Sequence, residues 1–378
     1  MTDSASRRPR VLFLFTEVFA NGGIQRFNCT LLEACGRLGV RCIVLSLNDS
    51  PASIAKHEQG ANLSVIGYSG NRRRFALAAC GALLWGRYDR VLIGHINFLI
   101  LSTTMLALRP LHRAPAMLIA HGIEVWTGIG ATRRWGLSRV TRMLCVSRHT
   151  RQRILEQDRR LAPERLVIFP NALADTWARA APRARPPAPS KRFILSVTRL
   201  ERGDRYKGVA SVIEAFSMLE DRTLEYLVIG HGNDVPFLQL AAKRFGVQDR
   251  VHFLRGVGDA ELISLYGNCE AFVLPSGKEG FGIVFLEAMY FGAPVIAAGE
   301  KGSLDVIRDG ETGLTVRFGD VIAIKEAIER VRSDGALRER LRANGRSTVV
   351  DAGAFTFSRF AQRCAEAFDL VRPDPVRD

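Results

Sequence analysis

The chain's seven cysteines, Cys29, Cys35, Cys42, Cys80, Cys145, Cys269 and Cys364, are odd in number, scattered and never spaced C-x-x-C. That argues against a disulfide framework and a structural zinc site, and it fits a reducing cytosol. No apolar run reaches the roughly 20 residues that cross a bilayer. The longest, residues 75–85 and 96–108, stop well short. The basic residues among 1–10 precede an apolar run with no small-residue cleavage site after it, so no signal peptide is expected. No D-x-D stands at a strand end, and no His, Cys and carboxylate set has ligand spacing, so no metal is expected. Aromatic residues make up only 8%. Repeats and low-complexity tracts are absent.

Positive charge, by contrast, is abundant. The chain has 378 residues with 53 Lys+Arg against 38 Asp+Glu, a net charge of +15. Such an excess speaks about partners, not fold. Nucleic acid, an anionic membrane and phosphorylated substrates are the three candidates. Residues 1–185 hold 27 Lys+Arg and 11 Asp+Glu, while 186–378 hold 26 and 27, so the excess belongs to the first half. Two domains of about 100–200 residues with different electrostatic tasks are expected.

Short apolar runs at 11–15, 41–45, 91–94, 117–120 and 143–146 alternate with longer amphipathic stretches. This is the pattern of a parallel sheet covered on both faces. A proline-rich stretch at 181–190 reads as a linker. The alternation resumes at 193–197, 225–229, 251–254, 271–274 and 294–297, with helices expected at 209–219, 235–245 and 260–268. The fold class is therefore α/β, with a first domain over 1–180 and a second over 191–350. A last helical pattern lies in 351–378, and packing back on the first domain is one place for it.

Three segments carry chemistry. Gly22 and Gly23 follow the first strand and open a helix, where a backbone approaches a ligand closely and free amides face an anion. The full G-x-G-x-x-G is missing, and a tight turn accounts for the pair equally well. Arg199 ends a strand and Lys207 follows it, two cations at the sheet edge where open α/β folds bind ligands. Residues 275–289, PSGKEGFGIVFLEAM, run from a strand end through a glycine-rich loop into a helix opening near Gly282 or Ile283. Amides there suit a pyrophosphate, and the carboxylates Glu279 and Glu287 suit sugar hydroxyls.

With seven residues between them, Glu279 and Glu287 resemble the E-x7-E signature of the retaining GT-B glycosyltransferases of family 4. The likeness extends over VHFLRG at 251–256, GAPVI at 292–296, DGETGL at 309–314, and Arg199 with Tyr206, Lys207 and Gly208. In the first half it rests on Gly22, Gly23 and HGIE at 121–124. The resemblance implies two Rossmann-like doubly wound domains facing across a cleft. It assigns Arg199 and Lys207 to the donor diphosphate, Glu287 to the nucleotide ribose and Glu279 to donor-sugar hydroxyls. Amides around Gly280, Phe281, Gly282 and Ile283 assist, and backbone at Arg255, Gly256 and Val257 lies along the base. Gly23 lets the first domain close on the diphosphate, and His121 faces the transferred sugar. Asn97 and Glu124 are acceptor-side candidates, and no other histidine has comparable context. The segment between Arg199 and Lys207 is longer than the family's usual spacer, which leaves Lys207 less firmly placed. Residues 302–305, GSLD, also depart from the family pattern.

The implied reaction is metal-free transfer of a hexose with retention, from GDP-mannose or UDP-glucose to a lipid-linked saccharide or growing polysaccharide. A sugar phosphorylase of the same fold and a catalytically silent relative are the alternatives within it. A basic nucleic-acid-binding protein is the alternative from another class, disfavoured by the few aromatics and the lack of a recognisable binding module. Arg72, Arg73 and Arg74 precede the apolar run 75–85, and seven arginines crowd 133–153. Beside Trp85 and Trp135 they fit a peripheral attachment to the inner face of an anionic cytoplasmic membrane, or a solvated helix face.

Overall fold

The computed structural model describes residues 8–20, 22–57, 60–109, 114–126, 128–175, 177, 191–351 and 353–370. The expected linker at 181–190 lies outside them. The chain divides into two compact units, Met1–Ala174 with Phe357–Asp378, and Asp175–Thr356.

In the first unit the strands are β1 (Arg10–Phe15), β2 (Arg41–Ser46), β3 (Leu63–Gly67), β4 (Arg90–Ile93), β5 (Ala116–Ala120), β6 (Arg142–Cys145) and β7 (Leu166–Ile168). They form one parallel sheet in the order β3-β2-β1-β4-β5-β6-β7. β1 and β5 are buried almost throughout, which is why they read as unbroken apolar runs. β3 alternates between half-buried and exposed positions at the edge, and β7 has only three residues. Neither is expected from a search for apolar runs. Strand order reverses at β1, which pairs with both β2 and β4. Crevices at the carboxyl ends of such a reversal are where α/β folds hold ligands.

The second unit repeats the scheme with β8 (Phe193–Val197), β9 (Glu225–Ile229), β10 (Val251–Leu254), β11 (Ala271–Leu274), β12 (Val295–Ala298) and β13 (Leu314–Val316). Their order is β10-β9-β8-β11-β12-β13, again parallel, with the reversal at β8.

The last described helix, Phe357–Ala367, belongs to the first unit and packs on helix Gly23–Arg37. Phe360 meets Phe27 edge-on at 5.7 Å between ring centroids and Phe169 at 5.0 Å. The chain just beyond is clasped by two arginines that begin strands. Arg90 donates to the Phe368 carbonyl at 2.7 Å and pairs with Asp369 at 2.6 Å, and Arg142 pairs with Asp369 at 2.8 Å. Cations at a helix's C-terminal end oppose its dipole.

Candidate active site

The carboxyl edge of the second unit's sheet gathers most of the motif residues. Residues Arg202–Lys207 wind into a 3₁₀ turn, which takes up the unusual length between Arg199 and Lys207. Asp204 organises it, accepting from Arg199 Nη2 at 3.2 Å and from the Tyr206 hydroxyl at 2.8 Å. Arg205 forks onto Asp234 and stacks on Phe237. The turn ends at Gly208 with φ +79°, where a side chain would meet the Pro275 carbonyl oxygen at 2.7 Å. This close approach seats the turn on the loop after β11, and the Gly277 N–H donates to the Tyr206 carbonyl at 2.8 Å. Lys207 Nζ thereby reaches Glu279 Oε2 at 2.7 Å, with both side chains largely buried. Arg199 remains more than half exposed.

Gly282, at φ +88°, turns the chain into helix Ile283–Tyr290, and a side chain there would strike the Phe285 ring. Among the described residues no side chain caps this helix start. Phe281 and Ile283 are buried, and Gly280 is half-buried. Lys301, which the sequence reading did not single out, and Gly302, the first residue of the GSLD departure, also hold the loop. Lys301 donates to the Gly277 carbonyl, and the Gly302 N–H donates to the Glu279 carbonyl at 3.1 Å. Gly302 must be glycine, because a Cβ would lie 2.1 Å from the Gly280 carbonyl oxygen. The departure GSLD thus supports the loop.

The two glutamates go to different surroundings. Glu279 faces Lys207, while Glu287 is 2% exposed and accepts from the buried Tyr266 hydroxyl at 3.0 Å. Arg255 and Gly256 are exposed and Val257 is half-buried, after β10 at the sheet's edge.

In the first unit, Gly22 precedes helix Gly23–Arg37, whose start has no side-chain cap among the described residues. The loop before it is held by buried Asp49, which accepts from Val18 N at 2.7 Å, Phe19 N at 3.1 Å and the Ser46 hydroxyl at 2.5 Å. His121 follows β5. Its Nε2 lies 3.1 Å from the Gly94 carbonyl, an acceptor only, so Nε2 carries the proton and Nδ1 keeps a lone pair. Desolvation drives its pKa down to about 4, which the bond to Gly94 only partly offsets, so the ring is neutral at pH 7. Phe27 meets that ring edge-on at 5.2 Å. Glu124 turns back to accept from His121 N at 2.6 Å and Gly122 N at 3.1 Å, fixing the residue's backbone.

In sequence His95 has no context comparable to that of His121, and the fold supplies one. It follows β4 and caps the turn Ile96–Phe98, its Nδ1 accepts from Asn97 N at 3.2 Å, and desolvation lowers its pKa while Glu124 opposes that shift. Asn97 itself is exposed. Sequence spacing also missed Phe27, which meets the His121 ring, and Phe360, which packs against Phe27. Among the described residues no three His, Cys, Asp or Glu side chains are placed to hold a metal ion. All seven cysteines are free.

Residues 21–176 match the family described as Glycosyltransferase Family 4, and residues 179–348 match Glycosyl transferases group 1. The chain belongs to the family-4 glycosyltransferases. Among curated relatives, the capsular polysaccharide biosynthesis glycosyltransferase CapM of Staphylococcus aureus is 36% identical over 146 residues, 38% of each chain. The phosphatidyl-myo-inositol mannosyltransferase of Mycobacterium leprae is 32% identical over 146 residues, again 38% of each. The alignments span less than half the length of these curated relatives. The Anabaena Alr3699/HepE structure in complex with UDP and glucose superposes with a TM-score of 0.77 at 17% identity, covering 96% of this chain and 100% of that one. That likeness shows the fold, and the two Rossmann-like units are those of the GT-B glycosyltransferases.

Proposed function

We propose that this chain is a retaining glycosyltransferase, independent of metal, that moves a hexose from a nucleoside-diphosphate sugar to a lipid-linked saccharide or growing polysaccharide. The observation that carries the reading is the meeting of Lys207 and Glu279 beside the uncapped start of helix Ile283–Tyr290, at the reversal of the second sheet. A cation, a sugar-binding carboxylate and free amides are the groups a sugar diphosphate needs.

In this reading Arg199 and Lys207 neutralise the diphosphate as it leaves, which is electrostatic catalysis. Glu279 accepts from donor-sugar hydroxyls, with the backbone of Gly280, Phe281, Gly282 and Ile283 beside it. Glu287 serves the ribose, and Arg255 to Val257 the base. The bond between the anomeric carbon and the phosphate oxygen breaks. The acceptor oxygen bonds to the same face, and its proton passes to the departing phosphate oxygen. His121, neutral with Nδ1 as an acceptor, takes a hydroxyl of the transferred sugar, and Gly22 and Gly23 serve the diphosphate. Glu124 and Asn97 stand on the acceptor side.

GDP-mannose is the first donor proposed and UDP-glucose the second. The mannosyltransferase named above supports the first, and the UDP and glucose bound by HepE support the second. CapM's name supports a polysaccharide product. A basic first unit suits work on the inner face of an anionic membrane. No helix among the described residues is long and apolar enough to cross one.

The test is slow hydrolysis of GDP-mannose and UDP-glucose, with the first-formed sugar followed by proton NMR. Release of the α anomer from one donor supports the reading. Release of the β anomer contradicts retention, and no hydrolysis or transfer with any nucleotide-sugar contradicts the activity.

A further inference from the structure

Helix Arg72–Trp85 has an outward side of the wrong character for water. Phe75, Ala79 and Leu83, at 3%, 0% and 0% exposure, form the buried stripe against the sheet. Helical spacing places Arg74, Leu77, Gly81 and Trp85 on the opposite side. Leu77 is 74% exposed and Trp85 79%. A methyl group at Gly81 would lie 3.8 Å from the Trp85 ring, so the indole lies back along the helix over the bare glycine. The outward side is a flat apolar strip where a soluble helix ordinarily carries polar residues. The helix contains no acidic residue.

The strip continues sideways. Helix Leu99–Leu108 packs beside it, with Leu108 64% exposed, and helix Ala131–Leu137 packs on that one. There Arg139 lies 3.8 Å over the half-exposed Trp135 ring. Arg72, Arg73 and Arg74 are exposed, and among the described residues none of them is paired with a carboxylate. They stand where the chain leaves the carboxyl end of β3, the same sheet edge that carries His121.

We propose that this side of the first unit seats on an anionic bilayer. Trp85, Leu77 and Leu108 enter the boundary between headgroups and acyl chains, and Arg72 to Arg74 engage lipid phosphates. The inference deepens the membrane partner proposed above by naming the surface that meets it. Charge complementarity selects the occupant. A second copy would bring the same positive rim to the contact, whereas an anionic leaflet offers apolar depth beneath a layer of phosphates. The arginines would then hold the ligand-bearing sheet edge near the headgroups.

Co-sedimentation of the full chain with vesicles tests this, using phosphatidylcholine alone and phosphatidylcholine mixed with phosphatidylglycerol. The wild type is expected on the anionic vesicles only, with binding that weakens as salt is raised. Leu77→Ser with Trp85→Ser, and separately Arg72→Gln with Arg73→Gln and Arg74→Gln, are each expected to weaken it at least about tenfold. Melting temperatures should hold, because these side chains are exposed. No wild-type binding to anionic vesicles overturns the membrane partner itself. Wild-type binding that both variants retain overturns only the surface named here. A wild-type dimer that the Leu77→Ser, Trp85→Ser variant converts to monomer, seen by light scattering, would give this surface to a second copy instead.

Discussion

At the carboxyl edge of the second sheet, charged groups converge from a turn and a loop 72 residues apart in the chain, which the pairing of β8 with β11 brings together. At the same edge of the first sheet, a neutral histidine meets Phe27, against which Phe360 packs from near the other end of the chain. The charge totals run the other way. The first unit holds 28 Lys+Arg against 14 Asp+Glu and the second 25 against 24, yet Lys207 and Arg199 lie in the nearly neutral one. The diphosphate site proposed here therefore follows local geometry and not net charge.

Four experiments sharpen or break this contrast. Phe360→Ala removes the ring behind Phe27 and should cost the first unit about 3–5 kcal/mol. Hydrogen exchange should then rise along helix Gly23–Arg37 and not in the second sheet; equal loosening of both would erase the distinction between the units. Lys207→Ala should leave the fold intact and lower turnover of the preferred nucleotide-sugar at least about 100-fold, or about 3 kcal/mol. Near wild-type turnover would remove Lys207 from the reaction. The third contrast is with pH. His121 titrates at about 4 in the folded chain against an ordinary 6.5. The unfolded chain therefore takes a proton on this ring below about 6.5 that the folded chain refuses. Stability present above that pH should fall progressively down to about 4, by at most about 3 kcal/mol. Chemical denaturation across this range should show the slope, and His121→Gln should flatten it. Smallest is Arg142→Ala, which loosens the clasp on Asp369 and should lower first-unit stability by about 0.5–1 kcal/mol.

The parts of this molecule legible from sequence are those fixed by neighbours in the chain. β1, β5, β8 and β11 show as apolar runs because both faces of a parallel sheet are covered. The Gly282 turn into its helix shows because glycine and a strand end stand next to it. β3, β7 and β13 do not show, since an alternating edge strand and two three-residue strands carry no continuous apolar signal. His95 looks featureless until β4 and β5 pair and bring it to His121 and Glu124. Phe27 and Phe360 read as ordinary core positions, because the contact between them depends on how the last helix closes on the first unit. Lys301 and Gly302 follow β12, and only the pairing of β11 with β12 sets them behind the Glu279 loop.

Ligand-dependent melting bears most directly on the claim that the second unit's edge holds a sugar diphosphate. UDP, GDP, UDP-glucose and GDP-mannose should be compared on the wild type and on Arg199→Ala with Lys207→Ala. At about 100 times its Kd, a bound ligand stabilises by about 2.7 kcal/mol, readable as a rise of several degrees. The account predicts that rise for at least one nucleoside diphosphate and its sugar on the wild type, and its loss in the double variant. No shift with any of the four, or an equal shift in both proteins, would contradict it.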